Sequence, residues 1–587
     1  MNGADLLARM LVAYGVEYIF GVPGDTNVTL YAGLERHAPA IRHIMARDER
    51  NAGFMADAYA RASNRPGVVE VPSGAGPLYV IAAVAEAHVS AAPVIIITND
   101  NPLPVEGRGF IAELDCKKLF EPVTKASIQV KAVEKIPETI RRAFRIATSG
   151  KPGAVHLAIP ENLYHQEIDE RTISLHAEKE CKRFPAYRAH PSRDDLLALR
   201  GLIDAAKRPL IIAGGGVNRS EGRAALTAFA EYYRLPVVTT ITGQQAIADD
   251  HELSIGVIGD NGFHPHAARA MEEADLLIYL GCRNGSTVSI SWTWPLPNPS
   301  RRVAHIDVDP EVLGNNAENA LSIVADARAL CEDMIAFAPL ECEREPEGWL
   351  ATLADWRRRF WREADRELAE LREATPTPIR PRLAIEALAK HLEGPVLLYS
   401  DPGTPTPYLC RYLKLAHPDA RIIMQRAFGG LGYALPAVVG GWFARQGVRP
   451  IGLFGDGSLG MSIGDLETIA RLNIPAILIN FNNASFGWIE ALQKVQGHNK
   501  PMSVRFSQTD YGAIASAFGL MGIRVEAADQ VEKAFDQAFA HDGPVFLDLV
   551  VESVADRLPP LFNWLRKTGA DPLIVGGEPL TLEGART

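Results

Sequence analysis

Short apolar runs that end in Gly, Pro, Asp or Asn recur along the whole chain and alternate with segments of helical periodicity. Examples are VEYIFGVPG, PVIIIT, PLIIAGGG, VAHIDVDP, PIGLFGDG and PAILINFNN. Near-continuous apolar runs of this length are typical of strands buried on both faces, as in parallel sheets covered by helices. The sequence therefore predicts an α/β fold built from βα units. Ligands of such sheets bind at the carboxyl ends of the strands, where these Gly, Asp and Asn residues gather.

Two polar stretches interrupt the alternation and divide the 587 residues. The stretches, at about 164–193 and about 339–381, are rich in charged residues, and we interpret them as linkers. The second is predicted to be partly helical, around 356–372. We expect three doubly wound parallel-sheet domains followed by a tail. The predicted bounds are 1–165, 190–338, 382–552 and, for the C-terminal tail, 553–587.

Charge and cysteine content exclude some classes of protein. The formal net charge of −11 argues against a general nucleic-acid or anionic-membrane binder. The six cysteines are scattered without a CxxC pair, so we expect core thiols in a reducing cytoplasm. The most apolar long stretch, from Leu78 to Thr98, contains Glu86, His88 and Pro93. It predicts a helix followed by a buried strand, not a membrane span.

The segment from Pro450 to Trp488 has the pattern strand, turn, helix, strand, turn. GDGS closes its first strand and NN closes the second. Glycines flanking Asp456 allow backbone to approach phosphate oxygens, and the following helix directs its N-terminus at the same anion. Asp456, the amide oxygen of Asn483 and the carbonyl of Ser485 are oxygen ligands of the kind Mg²⁺ prefers. Taken alone, GDG is also compatible with a plain turn and NN with a helix cap.

The spacing of these two motifs resembles the cofactor motif of thiamine-diphosphate enzymes, with 24 residues between Gly457 and Asn482. Nearly all of residues 1–555 is similar to the acetolactate synthase, pyruvate oxidase and pyruvate decarboxylase group. The resemblance implies a pyrimidine-binding, a central and a diphosphate-binding domain, in that order. It implies thiamine diphosphate and Mg²⁺ as cofactors. It also implies a homodimer at minimum, with a homotetramer common.

The resemblance assigns site residues in the third domain. Leu431, in AFGGLGYALPA, is the candidate for the apolar side chain that bends the cofactor, although a core leucine is the alternative. At SDPGTP the family often has Gln or His where this chain has Thr404. The implied cofactor-binding residues are Gly403, Thr404, Leu431, Gly457, Ser458, Asn483, Ser485, Phe486, Gly487 and Trp488. The implied metal ligands are Asp456, Asn483 and Ser485.

Glu49, in ARDERNAGFMADAYARA, falls on the family's catalytic glutamate. A carboxyl hydrogen-bonded to the pyrimidine ring promotes loss of the thiazolium proton, and burial favours sharing of a proton with the ring. A surface charge is the alternative when Glu49 is considered by itself. In the family, the glutamate and the diphosphate site that meet belong to different chains.

Asp25 and Glu490 are candidate catalytic residues near the substrate. Asp25 matches the decarboxylase version of the first loop, GxPGDxN, and is interpreted either as a proton-transfer group or as a helix cap. Glu490 follows the metal loop and is either a general acid/base or a first-turn carboxylate favoured by the helix dipole. His498 is a weaker candidate of the same kind.

The substrate-facing segments differ from each known group. Acetolactate synthases carry Phe-Gln-Glu where this chain has residues 111–113, Ile-Ala-Glu, although Lys125 matches. The His-His pair of the decarboxylases is absent from NDNPLPVEGRGFIAELD. The central domain shows no GxGxxG fingerprint with a following ribose acid, so FAD is not supported, and its triple glycine predicts a tight strand-to-helix turn.

Three functions remain open on the sequence. The first is an acetolactate-synthase-like enzyme acting on 2-oxo acids or acyloins. The second is a 2-hydroxyacyl-CoA lyase or oxalyl-CoA-type decarboxylase, in which Trp564, Arg566 and Lys567 of the tail could cover an acyl-CoA. The third is a simple 2-oxo acid decarboxylase. A tail packed on its own subunit without a direct role is the alternative for the C-terminus.

Overall fold

Three six-stranded sheets follow one another along the chain. The computed structural model describes residues 1–337, 348–498, 500–559 and 561–582. Every strand pair within the three sheets is parallel, and helices cover both faces. The predicted α/β class with three parallel-sheet domains is confirmed.

The first sheet has the strand order β2-β1-β3-β4-β6-β5. Its strands are β1 (Tyr18–Gly21), β2 (Arg42–Met45), β3 (Gly67–Pro72), β4 (Val94–Asp100), β5 (Ala126–Gln129) and β6 (Val155–Pro160). Its helices are α1 (Gly3–Ala13), α2 (Val28–Arg36), α3 (Glu49–Ser63), α4 (Ala75–Val89), α5 (Cys116–Phe120), α6 (Ile136–Thr148) and α7 (Glu161–His165). The helix and buried strand predicted for the apolar stretch after Leu78 are α4 and β4.

The second sheet has the order β12-β11-β10-β7-β8-β9. Its strands are β7 (Pro209–Ala213), β8 (Val237–Thr240), β9 (Ser254–Ile258), β10 (Leu276–Leu280), β11 (Arg302–Asp307) and β12 (Leu321–Val324). Its helices are α8 (Arg193–Ala205), α9 (Gly215–Arg219), α10 (Arg223–Tyr233), α11 (Pro265–Glu273) and α12 (Ala327–Phe337). The triple glycine forms a tight turn from β7 into α9. A Cβ on Gly214 would lie 2.2 Å from the carbonyl oxygen of Gly281.

The third sheet has the order β14-β13-β15-β16-β18-β17. One further helix, α13 (Trp349–Ala374), precedes it. Its strands are β13 (Leu397–Ser400), β14 (Arg421–Met424), β15 (Pro450–Gly455), β16 (Ile477–Asn482), β17 (Met521–Val525) and β18 (Val545–Val550). Its helices are α14 (Pro381–Ala389), α15 (Pro405–Tyr412), α16 (Ala434–Ala444), α17 (Asp456–Leu459), α18 (Leu466–Arg471), α19 (Gly487–Val495), α20 (Tyr511–Ala517) and α21 (Val531–Ala540).

Helix α3 of the first domain packs against α16 of the third, and glycine makes the close approach possible. A Cβ on Gly440 would lie 2.0 Å from the carbonyl oxygen of Met55. On β3, a Cβ on Gly67 would lie 2.1 Å from the carbonyl oxygen of Ala56. Real Cβ atoms do not come this close to other atoms, so backbone contacts at these two glycines fix the position of α3.

The two predicted linkers pack on the domains. The first contains short 3₁₀ turns, and its Cys181 is buried in the core of the first domain. In the second, α13 begins earlier than predicted, because Trp349 and Leu353 also bury apolar surface against the central sheet. The predicted domain end at 338 and Cys342 lie outside the described residues. So do the last five residues of the predicted tail.

The tail contains α22 (Phe562–Lys567) and a small antiparallel pair, β19 (Ile574–Val575) and β20 (Glu578–Pro579). The five cysteines in the described part of the chain are buried and free. No helix among the described residues is both long enough and apolar enough to cross a membrane.

Candidate active site

Asp456 and Asn483 lie side by side at the carboxyl edge of the third sheet. β15 and β16 are parallel neighbours, with Gly455 paired to Phe481 in register. Asp456 is the first residue after β15, and Asn483 is the first after β16. The arrangement expected from the sequence, in which two polar loops follow adjacent strands, is therefore present.

Asp456 has an unsatisfied carboxylate oxygen. The residue is 2% exposed, and its Oδ1 accepts a hydrogen bond from the backbone N–H of Gly457 at 2.9 Å. The Oδ2 atom is buried and has no hydrogen-bond partner in the described part of the chain. Burial raises the pKa of Asp456 to about 7. An unpaired buried carboxylate oxygen costs free energy unless a ligand completes it, and a divalent cation is a suitable ligand.

The turn after β15 packs closely against the segment after β16. A Cβ on Gly457 would lie 2.6 Å from the ring of Phe486, so only glycine fits there. The segment that carries Asn483 is held by two backbone hydrogen bonds to a neighbouring strand-like segment, Phe486 N–H to Val504 O and Phe506 N–H to Ala484 O, both at 2.7 Å. The oxygen donors of Asp456, Asn483 and Ser485, together with the glycines of the turn, fit a diphosphate with Mg²⁺.

A cavity of about 300 Å³ opens at this edge of the sheet. The residues of the third domain that were predicted to bind cofactor or metal all line it: Gly403, Thr404, Leu431, Asp456, Gly457, Ser458, Asn483, Ser485, Phe486, Gly487 and Trp488. The structure brings these eleven residues together, while their role in cofactor binding stays a prediction. Glu49, Asp25 and Glu490 are not among the residues that line this cavity.

Asp401 holds two loops of the cavity together, and the sequence analysis did not identify it. Its Oδ1 accepts from the backbone N–H groups of Tyr433 at 2.7 Å and Ala434 at 3.2 Å, and its Oδ2 accepts from the hydroxyl of Ser458. The same hydroxyl oxygen accepts from Gly432 N–H at 2.8 Å. Ser458 thus joins the GDGS turn to the loop that carries Leu431. Only the position of Asp401 at a strand end could have signalled this role.

Glu86 fixes the other end of that loop. It is fully buried on α4, and its carboxylate accepts from Phe428 N–H at 2.7 Å and Ser90 Oγ at 2.7 Å. Hydrogen bonds to neighbouring groups and the charge of Arg61 lower its pKa, against the opposing effect of burial. Glu86, one of the residues that argued against a membrane span, therefore anchors the loop that carries Leu431 to the first domain.

Arg426 and Asn261 also line the cavity, and the sequence analysis did not identify them. The Nε of Arg426 is buried without a hydrogen-bond partner, and burial lowers the pKa of this side chain. Arg426 faces a second cavity as well, of about 160 Å³, at the carboxyl edge of the central sheet. That cavity is lined by the triple glycine and by Asp307. The expectation that the chain carries no FAD stays a prediction.

Glu49 is the first residue of α3 and follows the N-cap Asp48. Partial burial, with the charges of Asp48 and Glu70, raises the pKa of Glu49. The start of α3 contacts the segment after the GDGS turn, where Asn51 Nδ2 donates to Asp465 Oδ2 at 2.6 Å. Glu49 does not line the cavity of its own chain, and its catalytic role stays a prediction.

Asp25 is exposed and does not cap the helix that follows it. Asn27 Oδ1 accepts a hydrogen bond from Gly24 N–H at 2.8 Å, ahead of the helix, and among the described residues no side chain caps α2. Thr26 ties this loop to the next one by accepting from Ser73 N–H at 2.9 Å. The cap interpretation of Asp25 is therefore wrong, because Asp25 lies within a 3₁₀ turn and its side chain does not cap α2. Its catalytic role stays a prediction.

Glu490 is buried and forms an ion pair. Arg505 donates to Glu490 Oε1 from Nε at 3.0 Å and from a terminal nitrogen at 2.8 Å. Helix α19 begins at Gly487, so Glu490 is its fourth residue and lies in the first turn, as the helix-dipole alternative expects. His498 is exposed. The paired state of Glu490 makes it a weaker candidate for proton transfer.

Lys125, which matches the acetolactate synthase pattern, donates hydrogen bonds to backbone carbonyls. Its Nζ donates to the carbonyls of Ile146 at 2.6 Å, Ser149 at 2.8 Å and Lys151 at 2.7 Å. All three ammonium hydrogens therefore have acceptors at the end of α6. Burial lowers the pKa of Lys125 to about 8. In this chain Lys125 caps a helix.

The tail packs on its own chain and reaches the cavity wall. Trp564 packs against Trp488, with ring centroids 4.7 Å apart and ring planes tilted by 39°. Asn563 donates to Asp260 Oδ2 at 2.9 Å, which joins α22 to the central domain. Arg566 and Lys567 are exposed. Of these three tail residues, which were expected near a substrate, Trp564 is the one that packs against a residue lining the cavity, Trp488.

Comparison with known proteins agrees with this geometry. Three family models match, described as thiamine pyrophosphate enzyme N-terminal TPP binding domain (residues 1–119), central domain (197–334) and C-terminal TPP binding domain (401–549). Thiamine pyrophosphate and thiamine diphosphate are the same compound. Each model falls on one of the three sheets.

Similar proteins share nearly the whole length of the chain. A probable acetolactate synthase large subunit of Methanocaldococcus jannaschii is 30% identical over 567 residues, which cover 95% of this chain and 93% of the relative. The acetolactate synthase isozyme 3 large subunit of Escherichia coli is 27% identical over 588 residues, 97% of this chain and 99% of the relative. The chain belongs to the thiamine pyrophosphate enzyme family.

Proposed function

We propose that the chain is a thiamine-diphosphate- and Mg²⁺-dependent enzyme that forms or cleaves a carbon–carbon bond next to the carbonyl of a 2-oxo acid or acyloin. The observation that carries the proposal is the buried, unpartnered Oδ2 of Asp456, beside Asn483 and inside the cavity lined by the other predicted cofactor residues. Similarity to acetolactate synthase large subunits supports the reaction class.

The residues would divide the work as follows. Asp456, Asn483 and the carbonyl of Ser485 would hold Mg²⁺, and Gly403 and Gly457 would face the diphosphate. Leu431 would support the cofactor's shape. Thiamine diphosphate supplies a carbanion-stabilising centre when bound, while the protein positions and polarises it. Glu49, with its raised pKa, would share a proton with the pyrimidine ring.

We propose a homodimer as the minimum unit, in which Glu49 of one copy meets the cavity of the other. Large apolar side chains are exposed on loops and helix starts at the carboxyl edge of the first sheet, as a covered surface would require. They include Val28, Leu78, Tyr79 and Ile111, which are between 53% and 83% exposed. Phe428 and Ile489, beside the cavity of the third sheet, are 61% and 46% exposed.

Arg426 supports an anionic substrate. It lines the cavity and has no carboxylate partner among the described residues, and its Nε is free to donate. A guanidinium with this geometry is suited to a carboxylate, which every 2-oxo acid carries. The same residue also favours the second candidate, an acyl-CoA substrate. Because Arg426 faces the central-sheet cavity too, a long substrate has space between the two domains.

The proposal is tested by Glu49→Gln and Asp456→Ala, with Glu35→Gln, an exposed residue of the same domain, as the matched control. Glu49→Gln should lower turnover by about 10²–10⁴-fold while thiamine diphosphate still binds. Asp456→Ala should abolish the Mg²⁺ dependence of cofactor binding, measured by calorimetry. Full activity of Glu49→Gln, or unchanged affinity of Asp456→Ala, would refute the assignment.

A product screen identifies the substrate class. The parent chain with thiamine diphosphate and Mg²⁺ would be incubated with pyruvate, larger 2-oxo acids and acyl-CoAs. Acetolactate or a related acyloin acid supports the carboligase, a free aldehyde alone supports the simple decarboxylase, and turnover restricted to acyl-CoA supports the second candidate.

A further inference from the structure

Five arginines face one cavity at the junction of the three domains, away from the candidate active site. The cavity measures about 190 Å³. Its arginines come from four separate parts of the chain: Arg61, Arg183, Arg219, Arg421 and Arg445. Glu221 is the one carboxylate among the described residues that line it. The local charge is therefore strongly positive, although the whole chain carries −11.

Two of these arginines already have carboxylate partners. Arg61 is buried against Asp57 at 2.9 Å and Glu86 at 3.4 Å. Arg183 donates to Glu221 at 2.7 Å, so the carboxylate that lines the cavity is already paired. These two cations are balanced within the protein, and the remaining three are not balanced by Glu221.

Among the described residues, Arg219 and Arg421 donate hydrogen bonds only to backbone carbonyls. Arg219 Nε donates to Ala91 O at 3.1 Å, and Arg421 donates to Pro418 O at 3.1 Å and Ala420 O at 2.9 Å. Among the described residues, no carboxylate forms an ion pair with either. Burial lowers the pKa of Arg219 to about 10, with a smaller contribution from the charge of Arg61. Burial and the neighbouring Arg445 also lower the pKa of Arg421.

Arg445 has a weak partner. Its nearest carboxylate, that of the exposed Asp419, is 3.8 Å away. Buried charges in proteins are normally paired, because withdrawing a guanidinium from water is costly. Three guanidinium groups with little or no compensation around one cavity form the arrangement that recognises a multiply charged oxyanion.

We propose that this cavity binds the phosphate group of a small anionic ligand, held by Arg219, Arg421 and Arg445. The volume suits one phosphate group, not a whole nucleotide. Arg219 and Thr242 also line the cavity at the edge of the central sheet. A phosphate ester can therefore seat its phosphate among the arginines and extend its remainder into the neighbouring space. Free phosphate presents the same chemistry without the extension.

Occupation of the site connects the second and third domains. Arg219 belongs to α9 of the second, and Arg421 belongs to β14 of the third. A ligand that binds the folded chain stabilises it in proportion to the logarithm of its concentration above its Kd. The bound anion is thus expected to raise the temperature at which the chain unfolds.

The test uses the full-length chain saturated with thiamine diphosphate and Mg²⁺, so that the candidate active site cannot take up the probe. Inorganic phosphate is titrated by calorimetry at constant ionic strength, with chloride as the balancing anion. Arg219→Gln and Arg421→Gln are compared with Arg301→Gln. Arg301 is a matched control, because it is partly buried and donates to the carbonyls of Ala274 and Leu296 away from the cavity.

We expect one phosphate per chain and a loss of at least about tenfold in affinity for Arg219→Gln and for Arg421→Gln, since hydrogen bonds to charged groups are strong. Arg301→Gln should bind like the parent. Phosphate should raise the unfolding temperature of the parent and of Arg301→Gln only. Glycerol 3-phosphate binding more tightly than phosphate would identify an ester as the natural ligand, and equal or weaker binding would identify free phosphate.

Equal phosphate affinity in all variants, or the same response to chloride as to phosphate, would overturn the proposal. If a glutamine variant fails to fold, a crystal of the parent chain soaked in selenate supplies the answer. An anomalous selenium peak between Arg219 and Arg421 supports the site, and an empty cavity refutes it. This outcome is separate from the proposed function, because a chain that binds no thiamine diphosphate would still show the peak.

Discussion

Gly457→Ala should weaken thiamine diphosphate binding by about 5- to 150-fold, although alanine adds a single methyl group. The new Cβ would lie 2.6 and 2.7 Å from two ring carbons of Phe486. Carbon atoms pack at about 3.5–4.0 Å, so the ring must move by about 1 Å. Phe486 is held by its backbone bond to Val504 and by edge contact with Phe506, at 4.7 Å between ring centroids. Overpacking of this kind costs about 1–3 kcal/mol.

Calorimetric titration of the cofactor in the presence of Mg²⁺ measures this loss, and Gly460→Ala is the control. The Cβ of that variant would meet its nearest atom, the carbonyl oxygen of Asp456, at an ordinary 3.6 Å, and φ at Gly460 is −56°. We expect its affinity to stay within about twofold of the parent chain. If the two alanine variants bind the cofactor equally well, the contact with Phe486 does not shape the site and the reasoning fails.

Three further predictions concern other parts of the site. Burial raises the pKa of Asp401 from 3.8 to about 6, so its stabilising contribution is lost as pH rises through that range. The unfolding temperature of Asp401→Asn minus that of the parent should therefore rise between pH 4 and pH 6 and stay constant above about pH 6. A difference that is the same at every pH would contradict this. Lys125→Met should lower the unfolding temperature while leaving kcat within about threefold, whereas a large kcat loss in a stable variant would show a catalytic role. Trp564 is 6% exposed, so Trp564→Ala should lower the local stability of the tail by about 3–5 kcal/mol and make the tail sensitive to protease. Unchanged digestion would argue against docking of the tail.

The parts of the site that lie close together in sequence were predictable. GDGS and NN terminate strands, and parallel strands place such ends at one edge, so Asp456 and Asn483 could be paired before any coordinates were known. The three-domain α/β organisation followed from the alternation of apolar runs and helices. Helix bounds were less predictable, because α13 extends to Trp349 through contacts that the local sequence does not reveal.

The supporting interactions were not predictable, because they join distant segments. Asp401 meets Ser458, and Glu86 meets Phe428, only after the domains have packed. Two local interactions also depend on the folded surroundings. The side chain of Asp25 does not cap α2, and Arg505 forms an ion pair with Glu490. The arginine-lined cavity collects side chains from four parts of the chain and has no sequence motif.

The close approach of α3 to α16 has a consequence for how the chain tolerates change. The acid at the start of α3 is positioned by backbone contacts at Gly67 and Gly440. A saturation mutagenesis screen for activity should thus find severe loss at position 440, far along the chain from Glu49 and absent from any inventory of reactive groups. Substitution of such a remote glycine should be tolerated as poorly as substitution of Glu49.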